Sequence, residues 1–399
     1  MDIIGISQLQ KLEYLNLSRN HIDSLQQFEY LPNLTELILE QVYMKSLEGL
    51  QNLPNIKILK LGNNALKSLA ELELLINVEH LEIYNNKLSS LNGIQNMFKL
   101  RFININNNLL HNFKYLPSSS KLYEIQATNN QQLTNLDGIE FQPNLKLINI
   151  KHCQISSFSG LNQIQKLEKL VCDENPISNL NYIQNFIYLQ HLTIQSGKVQ
   201  RIIELKTLEI LVKLELQNNK IQSLDGIQNL VLLQHLDVSN NELKSLNQLK
   251  NCINIEFLNV GKNQLQSLEG IQQMQNLQYL EANLNKINQM EQIKQLNKLK
   301  TLNVLFNQIN DFEQLYYLFN CKELHTLYLC IQDQPELNYN RVCSHHSYPI
   351  VLIQNLPSLK ILDQIQNIYD HGPEYLDNYI TTEERNRAMQ LDLPNIISE

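Results

Sequence analysis

The chain has 399 residues, 43% of them hydrophobic but only 7% aromatic, with no Trp, and this balance fits neither a disordered nor a membrane-embedded chain. A formal net charge of -8 and a pI ≈ 5.7 argue against direct contact with a nucleic-acid backbone and suit a protein partner with a basic surface. No stretch approaches the ~18 uninterrupted apolar residues of a spanning helix, and Met1-Asp2-Ile3-Ile4-Gly5 lacks the basic start of a secretory leader. No membrane contact and a cytoplasmic or nuclear location are therefore expected.

In chain order, the first segment, Ile3 to Leu12, reads as the back half of a repeat, matching Leu224–Leu233. The array thus begins mid-unit. The strand edge near Leu12–Leu17 is expected to be covered by a partner or a second copy, unless the start codon is misassigned.

The repeat itself follows. Leu12, Leu15, Leu17, Asn20, Ile22 and Leu25 have the same spacing as Leu211, Leu214, Leu216, Asn219, Ile221 and Leu224. Both read LxxLxLxxNxI/LxxL. The first position recurs at 34, 56, 78, 100, 122, 145, 167, 189, 211, 233, 255, 277, 299 and 324, with Ile56, Val78 and Ile255 in place of Leu. The period is ~22 residues over about fifteen units. Within a unit LxxLxL alternates as a strand does, while the back half, such as Ser223-Leu224-Asp225-Gly226-Ile227-Gln228-Asn229-Leu230, places apolar residues three apart, as a 3₁₀ turn does. These features predict an α/β solenoid, a leucine-rich repeat arc with a parallel concave sheet and a 3₁₀ or extended convex side.

Asn recurs at the ninth position as Asn20, Asn64, Asn86, Asn108, Asn219, Asn241, Asn263, Asn285 and Asn307, where a buried amide can satisfy open backbone groups between layers. Val42, Cys153, Gly197 and Gln332 substitute. Cys153 can still donate weakly, whereas Val42 and Gly197 predict local irregularity.

Outward strand positions carry the candidate contacts. Glu215, Asp237 and Glu281 form an acidic stripe with Asn259 between them, and Tyr84, Phe102, Phe257, Tyr279 and Tyr328 are outward aromatics suited to anchoring a partner. The predicted protein-binding residues are Glu215, Asp237, Phe257, Tyr279, Glu281 and Tyr328. His80, His191 and His235 share a row without a converging nucleophile, so neither catalysis nor a cofactor is expected. The six Cys residues form no CxxC pair and read as free thiols in a reducing compartment. Cys321, His325, Cys330, Cys343, His345 and His346 match no metal-ligand spacing and read as cap packing rather than a zinc site.

Tyr339-Asn340-Arg341-Val342 and then Leu356-Pro357-Ser358-Leu359-Lys360-Ile361-Leu362-Asp363 resemble the cap closing intracellular leucine-rich repeat proteins. Residues Cys343–Tyr348 lengthen it. The expected organisation is an array over 1–337, a cap over 338–363, and a polar tail over 364–399 with a short helix opening at Thr381-Thr382-Glu383-Glu384. The period, the SLxGIxNLxxL back half and this cap together resemble the leucine-rich repeat regulators of type-1 protein phosphatase. That resemblance implies contacts from the row Asn149, Val171, Thr193, Glu215, Asp237, Asn259, Glu281, Asn303, Tyr328, with a phosphatase catalytic subunit as partner. Glu281 and Tyr328 keep the family's acid and aromatic, while Val171, Glu215 and Asn303 depart from its aromatics. Related caps imply a ciliary or ribonucleoprotein assembly factor as an alternative. The general expectation is a non-catalytic interaction scaffold.

Overall fold

The computed structural model describes residues 5–22, 25–26, 28–118, 121–330, 340–345 and 347–363, and the backbone of 365–366. Internal contacts divide the chain into two units, residues 1–200 with 204–211, and residues 201–203 with 212–399. Each unit is a leucine-rich repeat solenoid.

Among the described residues the first unit holds nine strands of three residues. They are β1 (Tyr14–Asn16), β2 (Glu36–Ile38), β3 (Ile58–Lys60), β4 (His80–Glu82), β5 (Phe102–Asn104), β6 (Glu124–Gln126), β7 (Leu147–Asn149), β8 (Lys169–Val171) and β9 (His191–Thr193). Each pairs in parallel with the next, with Leu37 opposite Leu59 and Leu81 opposite Ile103. The middle residue of β2 to β9 is buried, because alternation turns it inward. Strand β1 differs, its Leu15 being only half-buried between two exposed neighbours.

The second unit holds β10 (Lys213–Glu215), β11 (His235–Asp237), β12 (Phe257–Asn259), β13 (Tyr279–Glu281), β14 (Thr301–Asn303) and β15 (Thr326–Tyr328). They are parallel and in the same register. Strand β16 (Ile361–Leu362) adds in parallel to β15, and β17 (Ile365–Gln366) adds to it antiparallel.

Strands stay short because a left-handed residue follows each of the three-residue strands up to Thr301–Asn303. Asn63, Asn85, Asn107, Asn218 and Asn240 occupy this place with φ of 52 to 60. Asn tolerates that conformation better than most side chains. The ladder residue comes next. Asn86 Oδ1 accepts from the Leu66 amide at 3.0 Å, and its Nδ2 donates to the carbonyls of Leu61 at 3.0 Å and Ile83 at 3.1 Å. One side chain thus bridges two rungs through groups that strand pairing leaves open. Asn130 and Asn175 make the same bonds and extend the ladder beyond the residues anticipated.

The substituted rungs behave differently from one another. At Val42 a second left-handed residue appears, Tyr43 with φ 63 beside Gln41 with φ 56. The Cys153 thiol donates to the Ala127 carbonyl at 3.4 Å. It needs no acceptor, because the Leu133 amide turns to the Asn130 carbonyl instead. At Gly197 the backbone turn stays regular, although glycine has no side chain to make the ladder bonds. Ser196 takes the usual left-handed turn, and the Lys198 amide reaches the Ile177 carbonyl as in regular rungs. Gln332 lies outside the described residues. Asn340 does the ladder's work in that rung, donating to the Val304 and Leu329 carbonyls and accepting from the Ile309 amide.

Each back half is built by its motif. In Ser223-Leu224-Asp225-Gly226-Ile227-Gln228 the Ser223 hydroxyl accepts from the Asp225 amide, and Gln228 Oε1 accepts from the Gly226 amide at 2.7 Å. Gly226 has φ 113, and a Cβ there would strike the Ile202 carbonyl of the preceding rung. Only glycine fits both constraints. Several arcs close in short 3₁₀ turns, including Leu50–Asn52 and Asn247–Asn251, and one in a nine-residue 3₁₀ helix, Phe312–Asn320.

The C-terminal end contains helix α1 (Tyr348–Asn355), where the sequence had suggested only a lengthened cap. Asp363 Oδ1 accepts from the amides of Leu329 and Cys330, and Oδ2 accepts from the Tyr348 hydroxyl. The array boundary expected at 337 and the tail helix expected within 364–399 fall outside the described residues. The free-thiol expectation is overturned at two of six positions, since Cys330 and Cys343 form a disulfide. Sequence spacing hid the pair because Cys343 returns to the end of β15 only through the fold. Cys153, Cys172, Cys252 and Cys321 are free and buried. Among the described residues no group of three or more His, Cys, Asp or Glu could hold a metal, and no helix is long and apolar enough to cross a membrane.

Candidate protein-binding face

Strands β10 to β15 place all six anticipated residues on the outer face of one sheet. One column runs Lys213, His235, Phe257, Tyr279, Thr301, Thr326, and the adjacent column runs Glu215, Asp237, Asn259, Glu281, Asn303, Tyr328. The in-register ladder stacks side chains of equal rank. His235 and Phe257 lie face to face, with centroids 4.3 Å apart and planes 4° from parallel. Tyr279 continues the series at 6.4 Å and 39°. The aromatic column therefore includes a histidine that sequence reasoning had set aside. A His followed by Phe one repeat later was the available signal.

The acidic stripe is not uniform. Glu215 is engaged by Lys213 at 2.8 Å and His235 at 3.3 Å. The His235 hydrogen bond, reinforced by Lys213, outweighs burial and holds the Glu215 carboxyl down at about 2. The expected acidic stripe is thus interrupted at Glu215, whose charge is compensated in place. Asp237 accepts from Ser239 N at 2.9 Å, Ser239 Oγ at 2.7 Å and Asn259 Nδ2 at 3.0 Å. Glu281 titrates above the ordinary range, through burial first and then the charge of Asp237, against a hydrogen bond from Asn303. Among the described residues no ion pair engages Asp237 or Glu281.

The first unit carries a similar arrangement. Glu82 pairs with His80 at 2.8 Å and Lys60 at 3.0 Å, and His80 stacks on Phe102 at 4.4 Å. Phe102 is therefore half-buried against an imidazole rather than a bare exposed ring. Tyr84 crosses above Gly62, where a Cβ would meet its ring, and donates to Glu40 at 3.1 Å. These aromatics are held in fixed poses by their neighbours.

No family model matches the chain, and no curated protein matches it. Solved structures do. A leucine-rich repeat protein of Leptospira interrogans, LIC12759, is 21% identical over 89% of this chain and 96% of its own, with a TM-score of 0.72. The internalin inlF of Listeria monocytogenes is 22% identical over 83% and 91%, with a TM-score of 0.66. The plant peptide hormone receptor RGFR1, solved in complex with RGF2, is 20% identical over 80% and 60%, with a TM-score of 0.62. These likenesses establish the leucine-rich repeat fold.

Proposed function

We propose that this protein is a non-catalytic scaffold that binds a protein partner with a basic surface through the outer face of β10–β15. One observation carries the reading: among the described residues, Asp237 and Glu281 have no ion-pair partner and stand beside the aromatic column of Phe257 and Tyr279. Half-buried carboxylates next to ordered rings suit a guanidinium or ammonium group, which gains from both. The structure of RGFR1 with RGF2 is a precedent for a peptide ligand on this fold. Glu215 contributes by ordering Lys213 and His235 rather than by meeting the partner with free charge.

Affinity capture with the wild type and with an Asp237→Lys, Glu281→Lys, Tyr328→Ala variant tests the face. The variant is expected to lose its main partners. If it retains every partner, the face is misassigned. A second reading, regulation of a type-1 phosphatase, is favoured by Glu281 and Tyr328 occupying the implied acid and aromatic places on this face. Capture lacking a phosphatase catalytic subunit removes it, and capture of ciliary or ribonucleoprotein components would favour the assembly-factor reading. The proposed location is cytoplasmic or nuclear.

A further inference from the structure

Thiol chemistry in the described chain is confined to one place. Cys153, Cys172, Cys252 and Cys321 are buried inside the rungs, and burial pushes three of these thiols up to about 11 or 12 and the fourth, Cys172, well above the usual value. They are poor nucleophiles with no path to solvent. Cys330 and Cys343 are different. They are 13 residues apart and disulfide-bonded, with Cα atoms 5.9 Å apart. Cys330 is buried, whereas Cys343 is half-buried, so an attacking sulfur can reach the bond from the Cys343 side.

The bond joins two structural parts. Cys330 leaves β15 two residues after Tyr328, and its amide is held by Asp363 at 2.8 Å. Cys343 belongs to the 3₁₀ turn Arg341–Ser344, directly after Asn340, which completes the ladder. Without the disulfide, residues 340–345 keep the Asn340 bonds, the Val342 amide on the Ile309 carbonyl, and the 4.3 Å contact of His345 with Phe312. The Arg341 amide also reaches Asn310 Oδ1 at 3.4 Å, and His345 accepts from the amides of Ser347 and Tyr348, so the disulfide is the covalent link among otherwise non-covalent ties on a segment with exposed residues at Arg341 and Ser344.

We propose that the Cys330–Cys343 disulfide is a redox-controlled clasp that fixes the cap to the last array strand. A thiol reductant opens it, two thiols being consumed, from two monothiol molecules such as glutathione or from one dithiol. One reductant thiolate attacks Cys343 Sγ, the S–S bond breaks, and Cys330 departs with the electron pair and takes a proton. The second reductant thiol then attacks the mixed disulfide, releasing Cys343 as a thiol and the reductant as its disulfide. In a cytoplasmic or nuclear setting, disulfides are typically transient and redox-sensing. Opening also loosens the strand bearing Tyr328. That consequence for binding rests on the proposed interaction face, while the clasp itself does not.

The test uses the full chain in its two redox states. Maleimide labelling and mass spectrometry before and after equilibration in a glutathione buffer at cytosolic poise should show no labelled Cys at first. Afterwards Cys330 and Cys343 should be labelled, with the four buried thiols protected. Hydrogen exchange in peptides covering 340–345 should rise roughly 100-fold on reduction, as expected when a closed loop of this length is released. Exchange at β12 should stay unchanged. A Cys330→Ser, Cys343→Ser variant should match the reduced wild type and ignore glutathione; if it folds poorly, Cys343→Ser alone serves. Persistence of the disulfide in that buffer, or unchanged exchange after its reduction, overturns the clasp. Neither readout involves a partner, so failure here is distinct from failure of the binding face.

Discussion

Each ladder asparagine spends its amide on backbone groups that parallel strands leave open. Asn263 accepts from the Leu243 amide and donates to the Val238 and Val260 carbonyls. Asn263→Ala strands a buried donor, so a loss of roughly 2–3 kcal/mol is expected in urea unfolding. A loss below about 0.5 kcal/mol would show that the rung relaxes around the gap. Two carboxyls on the outer face should separate in an NMR titration. Glu215 titrates at about 2 and Glu281 above its ordinary value. Because the folded pKa of Glu215 lies below the unfolded one, its stabilising effect is full above the unfolded value and fades as pH falls toward 2. His235→Ala should move Glu215 upward; no movement would remove the hydrogen bond as the cause.

At the level of elements, the cap gathers its polar groups on Asp363. Burial outweighs the bonds from Tyr348, Leu329 and Cys330 and pushes this carboxyl up to about 6. The sign is opposite to that of Glu215. The folded state binds the proton more tightly than the unfolded chain, so stability falls as pH rises from about 4 to 6 and stays low above that. The span corresponds to about 3 kcal/mol. Thermal unfolding of the cap across this range should show the slope, and Asp363→Asn should flatten it. The asparagine keeps both amide bonds through Oδ1 and can donate to the Tyr348 hydroxyl oxygen. A slope that survives the substitution assigns it to another group. This site was not visible as chemistry in the sequence. Asp363 read as the end of a cap motif, but Tyr348, which completes the buried contact, fell in what looked like a mere lengthening.

For the molecule as a whole, rungs depend on neighbours. Leu258 of β12 is fully buried between Leu236 and Leu280. Leu258→Ala should cost about 2–5 kcal/mol. In a stack where each layer touches only adjacent layers, the lost exchange protection should centre on β11–β13 and decay away from them. Uniform loss throughout the second unit would mean that it unfolds as one block.

The amino-acid sequence by itself determined the repeat, the strand phase and the columns of outward residues. Those follow from which positions must be apolar when identical layers stack, and every layer repeats the demand. It also determined that Glu215, Asp237, Phe257, Tyr279, Glu281 and Tyr328 share a face, because register is simply the period. Only the tertiary structure decided how neighbouring rungs use that face. Rotamers and distances across strands neutralise Glu215 with Lys213 and His235 while leaving Asp237 and Glu281 without an ion pair among the described residues. It likewise decided that Asn340 replaces the expected ladder residue and that Cys343 meets Cys330. Both partners come from beyond the last regular repeat, where the period no longer says which residues meet.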